Sequence, residues 1–273
     1  MPGTGHYTNA AGVTFRLGLK PEGPKMKLAQ TYASAYPVID PKDYPRKGGG
    51  LRDYFPFDWN QNPNNSCGGH GSTIALNAAW NFQGETLHEF SPDYTYSLCN
   101  GDRDEGSMPD DLLDALTKTG TCLRSTVGHG QIFRGSYDTA KADAEAARFK
   151  ADAVLTIGTE GELVTAVLRR QGVYTGIMVD EAYFNPDSRG RVRHGGNVVG
   201  GHCTAQIGEY EYMDDWKAGG VWTRGSWGKG YGLDGWVWTP LSYFRIGFES
   251  FRGCVVISTK RDPQEATPHA TAA

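Results

Sequence analysis

The residue pattern predicts four helices along the chain. In three of them apolar residues fall three or four positions apart, which places them on one face of a helix. Ser107 is positioned to cap the second of these helices, and Gly120 to end it. The stretch over residues 139–150 is rich in alanine and charge, so we expect it at the surface. The predicted helices cover residues 72–82, 109–118, 139–150 and 161–170.

The pattern changes in the C-terminal third of the chain. Short segments rich in Trp, Val, Ile and Tyr alternate there with clusters of glycine, which is typical of antiparallel strands. Helices thus come first and strands later, an order that indicates the α+β class. The predicted strands cover residues 173–179, 203–210, 219–224, 235–239 and 251–258.

The composition along the chain divides it into three parts. Residues 1–50, rich in Pro, Gly and Lys, form a predicted N-terminal extension. Residues 51–260 form the predicted domain, and residues 261–273 a flexible tail. Within the domain, the helical half lies at about 51–135 and the β-rich half at about 150–260. Whether the extension inhibits the domain stays open from the sequence.

Composition excludes several classes of function. The chain has 273 residues, 38% hydrophobic and 12% aromatic, which is too much apolar material for a disordered protein. A net charge of −4 and a pI near 6.0 give no basic field for nucleic acid. A mean hydropathy of −0.50 argues against a membrane protein. The first residues lack a Sec-type signal, so we expect a cytoplasmic or virion-associated protein.

The chain has five cysteines, an odd number that leaves one thiol outside any intramolecular pairing. A domain of this length does not need disulfides to hold a core. Buried, reduced thiols in a reducing compartment are therefore expected, with one reactive thiol among them.

The first candidate for that thiol is Cys67. Residues 60–70 read Asn-Gln-Asn-Pro-Asn-Asn-Ser-Cys-Gly-Gly-His and lead directly into the first predicted helix. A cysteine at a helix N-terminus feels the positive end of the helix dipole, which lowers its pKa toward the reactive thiolate. Gln61, on the approach loop, can donate an amide N–H to a developing oxyanion.

Two later segments offer partners for such a thiolate. Residues 200–203 read Gly-Gly-His-Cys before a β segment, which places His202 to act as general base and acid. Residues 224–232 form a glycine-rich turn around Trp227, whose large ring can shield a histidine–cysteine pair from water.

These segments together resemble the papain-like cysteine peptidases, particularly their bacterial and phage-type branch. The spacing of six from Gln61 to Cys67 matches that family without a gap. The resemblance covers residues 51–258 in the family's order. The matching stretches are Leu-Arg-x-x-Phe-Pro at 51–56, Ser-Pro-x-Tyr-x-Tyr at 91–96, Asp-x-Gly at 104–106, Gly-Gly-His at 200–202 and Ser-Trp-Gly at 226–228.

The resemblance implies a papain-like α+β fold, with a helical half, a β-barrel-like half and a cleft between them for an extended peptide or protein substrate. Cys67 would be the nucleophile and His202 its general acid and base. Gln61 would form the oxyanion hole with the backbone N–H of Cys67, and Trp227 would cover the imidazole. The implied reaction is peptide hydrolysis through a thioester, with no metal or organic cofactor.

One departure from the family pattern favours a different function. The family's asparagine, which orients the imidazole, falls on Gly225 here. The rival hypothesis is therefore an inactive pseudopeptidase that serves as a structural or binding module, for example in a phage particle or another assembly. A transferase or amidase that uses the same dyad is not separated from a peptidase by sequence.

Two further readings of the cysteine segment remain. Cys67-Gly68-Gly69-His70 also fits the Cys-Gly-x-Cys spelling of eukaryotic members, with His70 in the nucleophile position. We prefer the register with Cys67 as nucleophile because it keeps the spacing to Gln61 ungapped. A zinc site from these residues with His202 and Cys203 is disfavoured, since the spacing fits no closed structural site.

Overall fold

The computed structural model describes residues 5–21, 23–84 and 86–257. The tail predicted at 261–273 lies outside these residues. The α-helices among them are α1 (Pro24–Leu28), α2 (Tyr32–Ala35), α3 (Cys67–Gln83), α4 (Pro92–Ser97), α5 (Pro109–Asp114), α6 (Thr139–Ala146), α7 (Glu160–Leu168) and α8 (Leu241–Ser250).

The four predicted helices are present, with two changes at their starts. The first begins at Cys67, five positions earlier than predicted, so the candidate thiol lies inside its first turn. The expected cap from Ser107 is wrong: α5 starts at Pro109 after Met108, and no side chain caps it. A π-helical turn over Ala115–Thr119 continues α5, and Gly120 ends it with a φ of 90°.

The strands form a short N-terminal hairpin and one large antiparallel sheet. The sheet order is β3-β7-β8-β6-β5-β10-β4, with β9 also paired to β8, and the sheet curls into a half-barrel. The strands are β1 (His6–Thr8), β2 (Thr14–Arg16), β3 (Lys47–Gly48), β4 (Ala153–Ile157), β5 (Gly172–Asp180), β6 (Val198–Ala205), β7 (Tyr210–Met213), β8 (Ala218–Arg224), β9 (Trp236–Pro240) and β10 (Gly253–Ile257).

Helix α3 lies between the helical half and the sheet. Nearly all of its residues are buried, because α4 and α5 cover one side and the sheet covers the other. Glycines allow this close approach: a Cβ on Gly172 of β5 would lie 2.2 Å from the carbonyl oxygen of Ala75. The arrangement sets the first turn of α3 against β6, the strand that carries His202. The α+β class is confirmed.

The N-terminal residues pack on the domain. Strand β3 joins the main sheet beside β7, and Phe15, Leu17 and Leu19 are buried. Residues 14–20 run in extended form over the first turn of α3. This segment is called the strap below.

Candidate active site

Cys67 is the first residue of α3 and is completely buried. Its Sγ accepts a hydrogen bond of 3.2 Å from the backbone N–H of Gly18 in the strap. Burial raises the pKa of the thiol to about 11, and the nearby backbone N–H groups of Cys203 and Gly18 offset only part of that effect. The lowered pKa expected from the helix dipole is therefore wrong for this conformation, because burial removes the water that a thiolate needs.

Gln61 lies beside the strap as well. Its Nε2 donates to the carbonyl oxygen of Arg16 at 3.1 Å and to that of Asn64 at 3.0 Å. Because those two carbonyl oxygens can only accept, they fix which side of the amide carries the donors, and Oε1 accepts from the hydroxyl of Ser226 at 2.5 Å. The side-chain amide of Gln61, which the sequence motifs assign to the oxyanion hole, thus donates to the backbone carbonyl oxygen of Arg16.

The strap is held to both walls of the site by its backbone. On one side, Ser107 donates to the carbonyl of Gly18 at 2.8 Å and accepts from the N–H of Lys20 at 3.0 Å. On the other side, the N–H of Leu19 donates to the carbonyl of Gly201 at 3.4 Å. The strap therefore covers the site as an added strand between the two halves of the molecule.

Gly18 fits where no larger residue can. A Cβ at this position would lie 1.8 Å from the carbonyl oxygen of Asn65, and a Cβ on Gly106 would lie 2.0 Å from the oxygen of Gly18. The strap and the two loops pack backbone against backbone at this point. Sequence reasoning did not assign Gly18 or Ser107 to the site. The signal that could have found Gly18 is its place between two apolar residues, Leu17 and Leu19.

His202 and Trp227 come together as the motifs predict. Their rings stack with centroids 4.2 Å apart and an interplanar angle of 10°. The indole Nε1 of Trp227 donates to the carbonyl of Arg16 at 3.3 Å, and Phe15 packs edge-on against the same indole at 4.9 Å. The strap thus closes over the tryptophan that covers the imidazole.

The imidazole of His202 is buried, and no residue in the described ranges hydrogen-bonds to it. Both ring nitrogens are buried without a partner among the described residues, so no hydrogen bond joins His202 to Cys67. Burial, together with a smaller effect of the neighbouring His70, lowers the pKa of His202 to about 3. In this conformation the two groups are a neutral thiol and a neutral imidazole, not an ion pair.

Gly225 leaves little space for the missing asparagine. A Cβ at this position would lie 3.3 Å from the ring of Tyr231, which is buried and donates its hydroxyl to the carbonyl of Tyr183 at 2.6 Å. The aromatic ring fills the region beside Gly225. No side chain at residue 225 orients His202.

His70 lies one turn farther along α3 than Cys67. Its Nδ1 contacts the carbonyl oxygen of Ser66 at 3.1 Å, its Nε2 is buried without a partner among the described residues, and its ring meets Trp59 edge-on. Burial lowers its pKa to about 3. The sulfur at the start of the helix is that of Cys67, which is also the residue beside the strap.

Other kinds of site are not seen in the described ranges. No group of three or more His, Cys, Asp or Glu side chains there is placed to hold a metal ion. None of the helices described has the length and apolar character to cross a bilayer.

Several solved structures have a fold similar to that of this chain. The chain is similar to xylellain, a cysteine protease from Xylella fastidiosa, with a TM-score of 0.74 and 17% identity over 89% of this chain and 96% of that one. The chain has the papain-like fold. No protein-family model matches it, and a search of curated proteins finds no match.

Plant cysteine proteases share the papain-like fold with this chain. The Amb a 11 cysteine protease, a ragweed pollen allergen, in its proform gives a TM-score of 0.67 and 16% identity over 88% of this chain and 72% of that one. Bromelain from Ananas comosus, in complex with the E64 inhibitor, gives 0.62 and 14% over 79% and 100%. The predicted papain-like fold is therefore confirmed, with Cys67 at the start of its central helix and His202 on its sheet.

Proposed function

We propose that the chain is a cysteine peptidase that hydrolyses peptide bonds with Cys67 as nucleophile and His202 as general acid and base. One observation carries the proposal. A peptide segment, the strap, already lies on Sγ of Cys67 while Gln61 donates to one of its carbonyl oxygens. A site that binds an extended backbone at the thiol and at the amide donor has the parts that acyl transfer to sulfur requires.

The reaction proceeds through a thioester. The Cys67 thiolate attacks the carbonyl carbon of the scissile bond, and the oxyanion takes hydrogen bonds from Gln61 Nε2 and the N–H of Cys67. His202 then gives its proton to the leaving amine as the carbon–nitrogen bond breaks. Water attacks the thioester carbonyl, His202 takes the water's proton, and the acid product leaves the restored sulfur.

The strap itself is not placed for this attack. Gly18 turns its N–H toward Sγ, while its carbonyl oxygen accepts from Ser107. We infer that this conformation is latent and that the strap must leave before a substrate binds. Water would then reach both groups, so the pKa of Cys67 would fall and that of His202 would rise toward their ordinary values.

Replacing Gly18 tests the proposal. The Cβ of Gly18→Ala would collide with the backbone of Asn65, so the strap is expected to leave the site. We expect Cys67 to react faster with iodoacetamide at pH 7, followed by mass spectrometry, and fluorogenic peptides to be hydrolysed. The matched control is Gly135→Ala, whose Cβ would meet nothing within 4 Å.

A second change separates a catalytic dyad from an exposed thiol. His202→Ala in the Gly18→Ala background is expected to abolish hydrolysis and to return Cys67 to the reactivity of a thiol with a pKa of ~8.5. Equal alkylation rates with and without His202, and no hydrolysis, would contradict the peptidase proposal.

The second candidate is a pseudopeptidase that binds peptides without cutting them. It is favoured by the ring of Tyr231 beside Gly225 and by the finding that none of the described residues forms a hydrogen bond with the ring of His202. The opened protein would then bind peptides from a library and release them intact. Mass spectrometry of the products also distinguishes hydrolysis from transfer of the acyl group to an added amine.

A further inference from the structure

A second group of side chains with nucleophilic chemistry lies away from Cys67, where α8 meets the ends of β5 and β6. The hydroxyl of Ser242 is 3.0 Å from Nε2 of His194, and Nδ1 of the same ring is 3.3 Å from Oδ2 of Asp180. A hydroxyl, an imidazole and a carboxylate thus follow one another within hydrogen-bond reach. This is the order that an activated serine requires.

The chemistry of the three groups decides which nitrogen of the neutral ring carries its proton. An ionised carboxylate only accepts hydrogen bonds, so Nδ1 of His194 must donate to Asp180. Nε2 is then the unprotonated nitrogen and accepts the hydroxyl proton of Ser242. The ring is therefore in the form that can act as general base toward the serine.

The carboxylate that orients the ring is held firmly. Asp180 is 7% exposed and accepts from the N–H groups of Tyr183 and Gly195; it shares the hydroxyl proton of Tyr243, 2.8 Å away, with the carbonyl oxygen of Arg193 at 2.6 Å. The ring of His194 also stacks on Tyr243 with centroids 3.8 Å apart. Base and carboxylate are thus fixed relative to each other by the start of the helix that carries Ser242.

The position of Ser242 in α8 supplies a site for negative charge. Ser242 is the second residue of this ten-residue helix, and no side chain caps the helix at Pro240. The first N–H groups of a helix have no partner within the helix and carry the positive end of its dipole. An oxyanion formed on a carbonyl attacked by Ser242 would lie near the amides of Ser242 and Tyr243.

The group is open to solvent and has apolar neighbours. The side chain of His194 is 41% exposed. Ile246, four positions after Ser242 on the same face of α8, is 51% exposed, and Val198, the register partner of Asp180, is 56% exposed. A small acyl group without charge suits such a surface.

We propose that Ser242, His194 and Asp180 form a second acyl-transfer centre, which hydrolyses carboxylic esters with a short, uncharged acyl chain. Oγ of Ser242 forms a bond to the carbonyl carbon and gives its proton to His194, which passes it to the departing alkoxide. Water then attacks the acyl-serine, loses a proton to His194, and releases the acid. The proton returns to Ser242, and Asp180 stays ionised throughout.

The test uses the full chain with Cys67→Ala, since a reactive thiol would also cleave esters. Hydrolysis of p-nitrophenyl acetate is measured in this background and after Ser242→Ala or His194→Gln. After the uncatalysed rate is subtracted, we expect each change to lower the rate of hydrolysis by a factor on the order of 10² or more. Ser250→Ala, at the far end of α8, is expected to leave the rate unchanged.

A covalent readout tests the same residues without turnover. A fluorophosphonate probe is expected to label Ser242, with loss of fluoride, and labelling is expected to disappear in His194→Gln. Circular dichroism checks that each variant is folded. No labelling of Ser242 in folded protein, or ester hydrolysis equal in Ser242→Ala and Ser250→Ala, would overturn the proposal and leave these groups as a tie between α8 and the loop of His194.

Discussion

Two histidines determine how the site responds to acid. His70 and His202 are buried as neutral rings, and burial lowers the pKa of each to about 3 from an ordinary value of 6.5. Between these values the unfolded chain binds protons that the folded chain does not. The contribution of the two buried neutral rings to the free energy of unfolding is therefore complete above about pH 6.5, and it is lost as the pH falls toward 3.

We expect the free energy of unfolding to fall between pH 6.5 and 4.5, with each buried histidine contributing up to about 1.4 kcal/mol per pH unit. His70→Gln removes one of these groups and should make that fall less steep. Urea denaturation at several pH values measures the slope. His6→Gln, at an exposed position, is the control, and an unchanged slope in His70→Gln would contradict the assignment.

Gly225 gives a second prediction at the scale of one residue. Gly225→Asn is expected to lower the free energy of unfolding by ~1–3 kcal/mol, because its side chain would overpack against Tyr231. Thermal unfolding measures the change, with Gly230→Ala, an open position, as control. A variant as stable as the parent would show that the ring moves aside and that an orienting asparagine can be restored here.

Helix α7 shows how local sequence fixes one element. The hydroxyl of Thr159 accepts from the N–H of Glu162 at 3.1 Å, and Glu162 accepts in return from the N–H of Thr159 at 3.0 Å. The carboxylate of Glu162 also accepts from Ala33 in α2 at 3.2 Å. This capping box therefore ties the N-terminal residues to the sheet half of the molecule.

Thr159→Ala is expected to lower the free energy of unfolding by about 1 kcal/mol, since the N–H of Glu162 loses its partner. Urea denaturation at pH 7 measures it against Ser125→Ala, a change at an exposed position. Equal stability of the two variants would mean that water replaces the threonine hydroxyl without loss.

The sequence predicted elements best where one residue pattern dominates. The long apolar stripe of α3 and the motif around Cys67 located the central helix. The Gly-Gly-His motif was placed just before a strand predicted at 203–210, whereas β6 runs over Val198–Ala205 and contains His202. Helix α8 was missed because Gly247 interrupts its pattern. That glycine is needed because a Cβ there would lie 2.2 Å from the carbonyl of Gly176 in β5.

The position of the strap could not be predicted from its residues. The alternation of Phe15, Leu17 and Leu19 marks an extended segment, but its place over the site depends on backbone hydrogen bonds to Ser107 and Gly201 and on the side chain of Gln61, and such bonds leave no sequence pattern. For the same reason the pKa expected for Cys67 was wrong. The helix dipole is a local property of the sequence, whereas burial under a distant segment is a property of the fold.

At the scale of the whole molecule, closure of the site and stability are coupled. The strap buries Phe15, Leu17 and Leu19, which are 4%, 0% and 5% exposed. Each such side chain contributes ~1.5–3 kcal/mol when it leaves water, and a domain is stable by only about 5–15 kcal/mol. Removing the strap to open the site is therefore expected to lower the free energy of unfolding by a large part of its total.

Deleting residues 1–20 is expected to lower the thermal midpoint and to raise the alkylation rate of Cys67 together. Calorimetry and mass spectrometry measure the two effects. Cys122 is the internal control, since it is buried in the helical half, where burial raises its pKa to about 12. Equal gains in reactivity at Cys67 and Cys122 would show general unfolding rather than a local opening of the site.

The hydrogen bond from Gly18 to Cys67 also implies that release of the strap can limit the rate at which the thiol is modified. No reagent reaches the sulfur until that bond opens, so at high reagent concentration the rate of modification should stop rising and settle at the rate of strap release. Reagents of unequal reactivity would then show the same limiting rate of modification at high concentration. The rate of the first reaction would then be set by opening of the contact with a glycine forty-nine positions upstream of the thiol, and not by the reactivity of the thiol itself.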